Sequence, residues 1–122
     1  MSALAGKRVL VLEDEFLLAM EATETLEELG AVVVGPAHHV DAALALIAQE
    51  GIDAALLDVN INGKSSTPVA EMLAARGVPY VFATGYGAGA DVPKGARIVD
   101  KPYTRDDIAV AFSLALSTVA PA

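Results

Sequence analysis

The chain has 122 residues, is 54% hydrophobic, carries a formal net charge of −8 and contains no cysteine. That length suits one domain, residues 1–122, with a proper core. Disulfides and thiolate metal sites are excluded, the apolar runs are far shorter than the ~18 residues of a membrane span, and the acidity argues against non-specific nucleic-acid binding.

At the start of the chain Lys7 and Arg8 follow a weak apolar stretch, the wrong order for a secretory leader. A cysteine-free chain without such a leader suits a cytoplasmic protein. Residues 7–12 are nearly all apolar and partly β-branched, which predicts a strand buried on both faces. The run ends on Glu13-Asp14. Residues 15–29 predict a helix, with Phe16, Leu17, Met20, Leu26 and Leu29 near helical spacing and Gly30 as its stop. Residues 31–34 predict a second strand, ended by Gly35-Pro36. His38-His39 read as a solvated loop far from the acidic residues. Residues 41–49 predict a helix, and 53–57 a third strand that runs into Asp58. Asn62-Gly63 is a turn, and residues 67–76 predict a helix with Pro68 at its first position. Residues 78–83 form a fourth strand running into Thr84; residues 96–99 form a fifth, running through Asp100 into Lys101-Pro102. Thr104 with Asp107 makes a capping-box pattern for a last helix that reaches residue 118.

This (βα)5 alternation predicts an α/β fold: a doubly wound, parallel, five-stranded sheet, for which the order 2-1-3-4-5 is favoured. One stretch departs from it. Residues 85–95 hold four glycines and a proline and lack a helical apolar stripe. Glycine costs roughly 1 kcal/mol in a helix interior and proline about 3, so the fourth helix is expected to be short, disordered or absent.

Ligands of open parallel sheets sit outside the carboxyl ends of the strands. There Glu13, Asp14, Asp58, Thr84 and Lys101 converge. Two carboxylates ~4 Å apart repel by about 4 kcal/mol at an effective dielectric of 20, so three in one cleft call for a cation, and an all-oxygen set suits Mg²⁺. Each residue taken alone also has an ordinary reading: Asp58 as a turn or cap, Glu13-Asp14-Glu15 as an acidic first helical turn, Thr84 as a turn former, Lys101-Pro102 as a loop. The set in order, each at its own strand end, carries the chemical reading.

Together, Glu13-Asp14, Asp58, Thr84 and Lys101-Pro102 resemble the pattern of the receiver domain of two-component response regulators (CheY-like), over essentially the whole chain. Phe82-Ala83-Thr84-Gly85-Tyr86 and the run from Leu57 to Gly63 resemble the FATGUY class, often found as single-domain proteins. The resemblance implies that Asp58 accepts a phosphoryl group from a sensor histidine kinase, with a histidine phosphotransfer protein as a further possible partner. It implies Mg²⁺ held by Asp14, Asp58 and the backbone carbonyl of Asn60, with Glu13 acting through water. Lys101 and Thr84 then handle the phosphoryl oxygens. No turnover of a separate substrate is expected, so the chain is not read as an enzyme, and it is expected to be a monomer or weak dimer. The alternative is a pseudo-receiver that docks partners without phosphorylation. Many receivers place an aromatic residue three positions before the lysine; here that residue is Ile98, which leaves Tyr86 as a candidate moving aromatic. Asn60 and Tyr86 occupy positions that tune acyl-phosphate lifetime in the family. A dehalogenase-type phosphatase is disfavoured because no second aspartate stands two residues beyond Asp14, and a flavodoxin because the loop after strand 1 is acidic.

Overall fold

The computed structural model describes residues 3–85 and 96–117. Along the chain run β1 (Arg8–Leu12), α1 (Phe16–Glu28), β2 (Val32–Ala37), α2 (Val40–Gln49), β3 (Ala54–Asp58), β4 (Asn60–Ile61), β5 (Lys64–Ser65), α3 (Thr67–Ala75), β6 (Tyr80–Thr84), β7 (Ile98–Asp100) and α4 (Arg105–Ser117). A five-stranded sheet has the order β2-β1-β3-β6-β7, with every neighbouring pair parallel. Its long strands therefore follow the expected 2-1-3-4-5 arrangement.

Apolar runs become central strands because both faces of the sheet are covered. Val9 and Val11 pack with Ala22 and Leu26 of α1 and with Ile108 and Phe112 of α4. Their neighbours Leu10 and Leu12 pack on the other face with Ala43 and Ile47 of α2 and Val69 and Leu73 of α3. Each fully buried leucine contributes about 1.5–3 kcal/mol relative to exposure.

Helix ends follow local chemistry. At the end of α1, Ala31 N–H donates to the Leu26 carbonyl at 3.0 Å and Gly30 N–H to the Glu27 carbonyl at 2.9 Å. This paired closure needs a left-handed residue, and Gly30 supplies it with φ +90°. Gly77 and Val78 close α3 with the same bond pattern. The capping box of α4 forms as expected: Thr104 N–H donates to Asp107 Oδ2 at 2.9 Å, and Asp107 N–H to Thr104 Oγ1 at 3.1 Å.

Two sequence expectations need correction, and a third, the turn at Asn62-Gly63, is borne out and extended. β2 does not stop at Gly35-Pro36 but continues to Ala37. Proline is tolerated there because β2 is an edge strand. Gly35 has φ +100°, and a Cβ would meet the Ala37 nitrogen at 2.8 Å, so only glycine fits the irregular pairing between Leu10 and Leu12. The turn at Asn62-Gly63 closes a small antiparallel hairpin, β4–β5. The second correction concerns α1: Phe16, Leu17 and Met20 do not face the core; they are 65%, 72% and 44% exposed, and the buried stripe of α1 is Ala19, Ala22 and Leu26. The expected fourth helix and Tyr86 fall on residues 86–95, outside the described residues. Among the described residues no helix is long and apolar enough to cross a membrane.

Candidate functional site

Parallel register brings the strand ends level. Leu12 of β1 pairs with Leu57 of β3, so Glu13 stands beside Asp58. Asp58 pairs with Ala83 of β6, and Thr84 with Asp100 of β7. Together these ends open into a cleft of about 700 Å³. Glu13, Asp14, Asp58, Asn60, Thr84 and Lys101 all line it, beside Gly85, Pro102 and Tyr103. The sequence-derived site is thus one place in the molecule. Ile98 is not part of it: it is partly exposed, with Val110 and Leu114, along a separate groove between β7 and α4.

Lys101 is the positive centre of the cleft. Its Nζ lies 2.7 Å from Glu13 Oε1 and 3.3 Å from Asp58 Oδ2. Burial acts to lower its pKa, but the bond to Glu13 and the charges of Asp58 and Glu13 outweigh burial and hold it above the ordinary lysine value. Glu13 is itself buried, and that burial pushes its carboxyl up to about 7, against the pull of Lys101 and of the Glu15 N–H that it accepts at 3.1 Å. For Asp14, burial acts to raise the pKa; the Asn62 N–H donated at 2.9 Å and further hydrogen bonds lower it on balance.

Thr84 is held at the back of the cleft. Its side chain is buried and its hydroxyl donates to Asp100 Oδ1 at 3.3 Å, a long bond and hence a weak one. The Thr84 carbonyl accepts from Lys101 N–H at 2.6 Å. Tyr103 packs against the core below Lys101, and burial raises its pKa.

Carboxylate oxygens of Glu13, Asp14 and Asp58 lie within 4.8 Å of one another. Opposite oxygens about one Mg²⁺ with ~2.1 Å bonds stand roughly 4.2 Å apart. The spacing and the all-oxygen donors therefore fit a hard divalent cation.

Two contributors escaped the sequence reading. His38 is not remote from the acidic residues: its Nδ1 lies 3.0 Å from the Glu13 carbonyl oxygen. A carbonyl can only accept, so Nδ1 carries the proton in this contact. His39 caps α2 by accepting Ala42 N–H. Asn62 reaches both Asp14 and, through its side-chain amide, the His38 carbonyl at 3.2 Å. The Asn-Gly pair gave away the turn but not these contacts.

No protein-family model matches the chain. It is 30% identical to the transcriptional regulatory protein PdtaR of Mycobacterium tuberculosis, over 94% of the chain but about 59% of the length of that relative. The receiver domain of the PhyR response regulator of Erythrobacter litoralis superimposes with a TM-score of 0.84 at 27% identity, over 98% of each chain. SdrG from Sphingomonas melonis Fr1 is 46% identical and superimposes with a TM-score of 0.80, over 95% of this chain and 99% of SdrG. The chain belongs to the response regulator receiver family. It is accordingly a receiver module of the two-component signalling type. SdrG has also been solved in a conformation activated by BeF3, which this chain matches at 42% identity and a TM-score of 0.76.

Proposed function

We propose that this receiver is a phosphoacceptor, that Asp58 is the residue modified, and that Mg²⁺ is its metal. The observation that carries the reading is the Lys101 ammonium set between Glu13 and Asp58 in a cleft that also holds Asp14 and Thr84. The activation of the related SdrG by BeF3 supports it.

Asp58 is the nucleophile. One carboxylate oxygen attacks phosphorus of a phosphohistidine, the P–N bond breaks, its electron pair returns to the imidazole, and an acyl phosphate remains on Asp58. Such transfers depend on positioning and charge neutralisation. Lys101 holds Asp58 and neutralises the arriving oxygens. Thr84 exchanges its weak bond to Asp100 for one to a phosphoryl oxygen. Asp14, Asp58 and the Asn60 carbonyl would hold Mg²⁺, with Glu13 behind a water. Mg²⁺ supplies charge stabilisation for the transferring group. Phosphorylation and hydrolysis then occur on the protein's own side chain rather than on a released substrate. The donor is a histidine kinase or histidine phosphotransfer protein, and the exposed Phe16, Leu17 and Met20 of α1 offer it an apolar docking face.

Incubation with acetyl phosphate and Mg²⁺, followed by intact mass measurement, tests the proposal. One added phosphoryl group in the native chain and none in Asp58→Asn is the expected result. An unmodified native chain, under conditions that label a known receiver, rejects it. That outcome would favour a phosphorylation-independent docking module, a reading that draws on the exposed Ile98 where many receivers carry an aromatic switch.

A further inference from the structure

We propose that Asn62 is a positioning residue for the acidic cluster: it straps the β4–β5 turn to the loops that follow β1 and β2 and so fixes where the Asp14 carboxylate points. The purpose of the strap rests on the phosphoacceptor reading; its existence does not.

The contacts close a ring. Asn62 N–H donates to Asp14 Oδ2 at 2.9 Å. Asn62 Nδ2 donates to the His38 carbonyl at 3.2 Å. His38 Nδ1 donates to the carbonyl of Glu13, the neighbour of Asp14, at 3.0 Å. Both ends of the ring are anchored. Glu13 N–H donates to the Ala37 carbonyl at 3.0 Å. On the hairpin side, the buried Ser66 donates both its N–H and its hydroxyl to the Val59 carbonyl. One Asp14 oxygen is thereby committed to Asn62, which orients the other for a ligand.

The residue type matches this double duty. Asn62 has φ +52°, a conformation cheap for glycine and tolerated by asparagine or aspartate. Glycine would keep the backbone donor but lose the side-chain donor. Aspartate would turn an acceptor toward the His38 carbonyl. Asparagine alone supplies both donors at that backbone angle. A plain turn former needs only the backbone angle, and Asn62→Gly preserves it; the substitution therefore separates the two roles.

The test compares the native chain with Asn62→Gly and with Ser65→Ala, which disturbs the same hairpin without touching Asp14 or His38. In metal-free protein, hydrogen exchange at the residue 62 amide reports the strap directly. Loss of one net hydrogen bond corresponds to about fivefold. Asn62→Gly is expected to speed that exchange about fivefold and to weaken Mg²⁺ binding, measured by calorimetry, by a similar factor. Its thermal midpoint should stay near native, and the acetyl phosphate labelling rate should recover at saturating Mg²⁺. Unchanged exchange overturns the strap. Faster exchange with unchanged Mg²⁺ affinity overturns the positioning role, as does an equal loss in Ser65→Ala. If the native chain binds no Mg²⁺, the phosphoacceptor reading falls, while the exchange measurement still decides whether the strap exists.

Discussion

Glu13 and Asp14 are adjacent in sequence, yet the cleft treats them in opposite ways. Burial raises Glu13 to about 7 from 4.5, whereas hydrogen bonds lower Asp14 against its own burial. For Glu13 the folded chain holds a proton that the unfolded chain has already released between about pH 4.5 and about pH 7. Linkage then gives a contribution to stability that is full below about pH 4.5 and lost by about pH 7. Urea unfolding across that window should show this slope in the native chain and not in Glu13→Gln. Saturating Mg²⁺ should flatten it, because a nearby cation favours the ionised carboxyl. Asp14 acts with the opposite sign, stabilising above its ordinary value of 3.8 and losing that contribution in acid.

At the scale of elements, α4 and α1 allow stability to be tested apart from the proposed recognition. The capping box of α4 lies outside the cleft lining, so Thr104→Ala should lower stability by about 1 kcal/mol in urea unfolding and leave acetyl phosphate labelling unchanged. The first turn of α1 does the reverse. Leu17 is 72% exposed, so its replacement costs the core little. Leu17→Asp is expected to slow transfer from a phosphohistidine donor at least about tenfold, the effect of a little over 1 kcal/mol at a docking face, with acetyl phosphate labelling unchanged. Equal slowing with both donors would remove α1 from the docking surface. Elements with strong local signals were legible in the chain itself. The apolar runs at Val9–Leu12 and Ala54–Leu57 are strands covered on both faces, and Thr104 with Asp107 marks its helix unambiguously. The β4–β5 hairpin was not legible, because two residues per strand are too few to show a period. Nor was the passage of β2 through Pro36, since only the edge position makes proline admissible there.

For the molecule as a whole, site and core are one construction. The strands that deliver Glu13, Asp58 and Thr84 are held between two apolar layers, and one of these layers includes Phe112, which is fully buried. Phe112→Ala should cost about 3–5 kcal/mol, a large part of the roughly 5–15 kcal/mol available to a domain. Circular dichroism during urea unfolding measures it. The five polar positions of the site were readable from sequence because each stands at the carboxyl end of one of four strands. The strap through Asn62 and His38 was not, because it joins three loops whose meeting depends on the finished sheet.

One short contact has a mechanical implication. Lys101 N–H and the Thr84 carbonyl, 2.6 Å apart, stitch the last residue of β6 to the residue after β7. The hydroxyl and the ammonium proposed to receive the phosphoryl group therefore ride on one stitched plank rather than on two independent arms. A pull on either is felt by both. On titration with a phosphoryl mimic, amide signals of Thr84 and Lys101 should shift with a common midpoint, and groups docked along β7 would sense events at Thr84 through the main chain alone, with no aromatic side chain needed to carry the message.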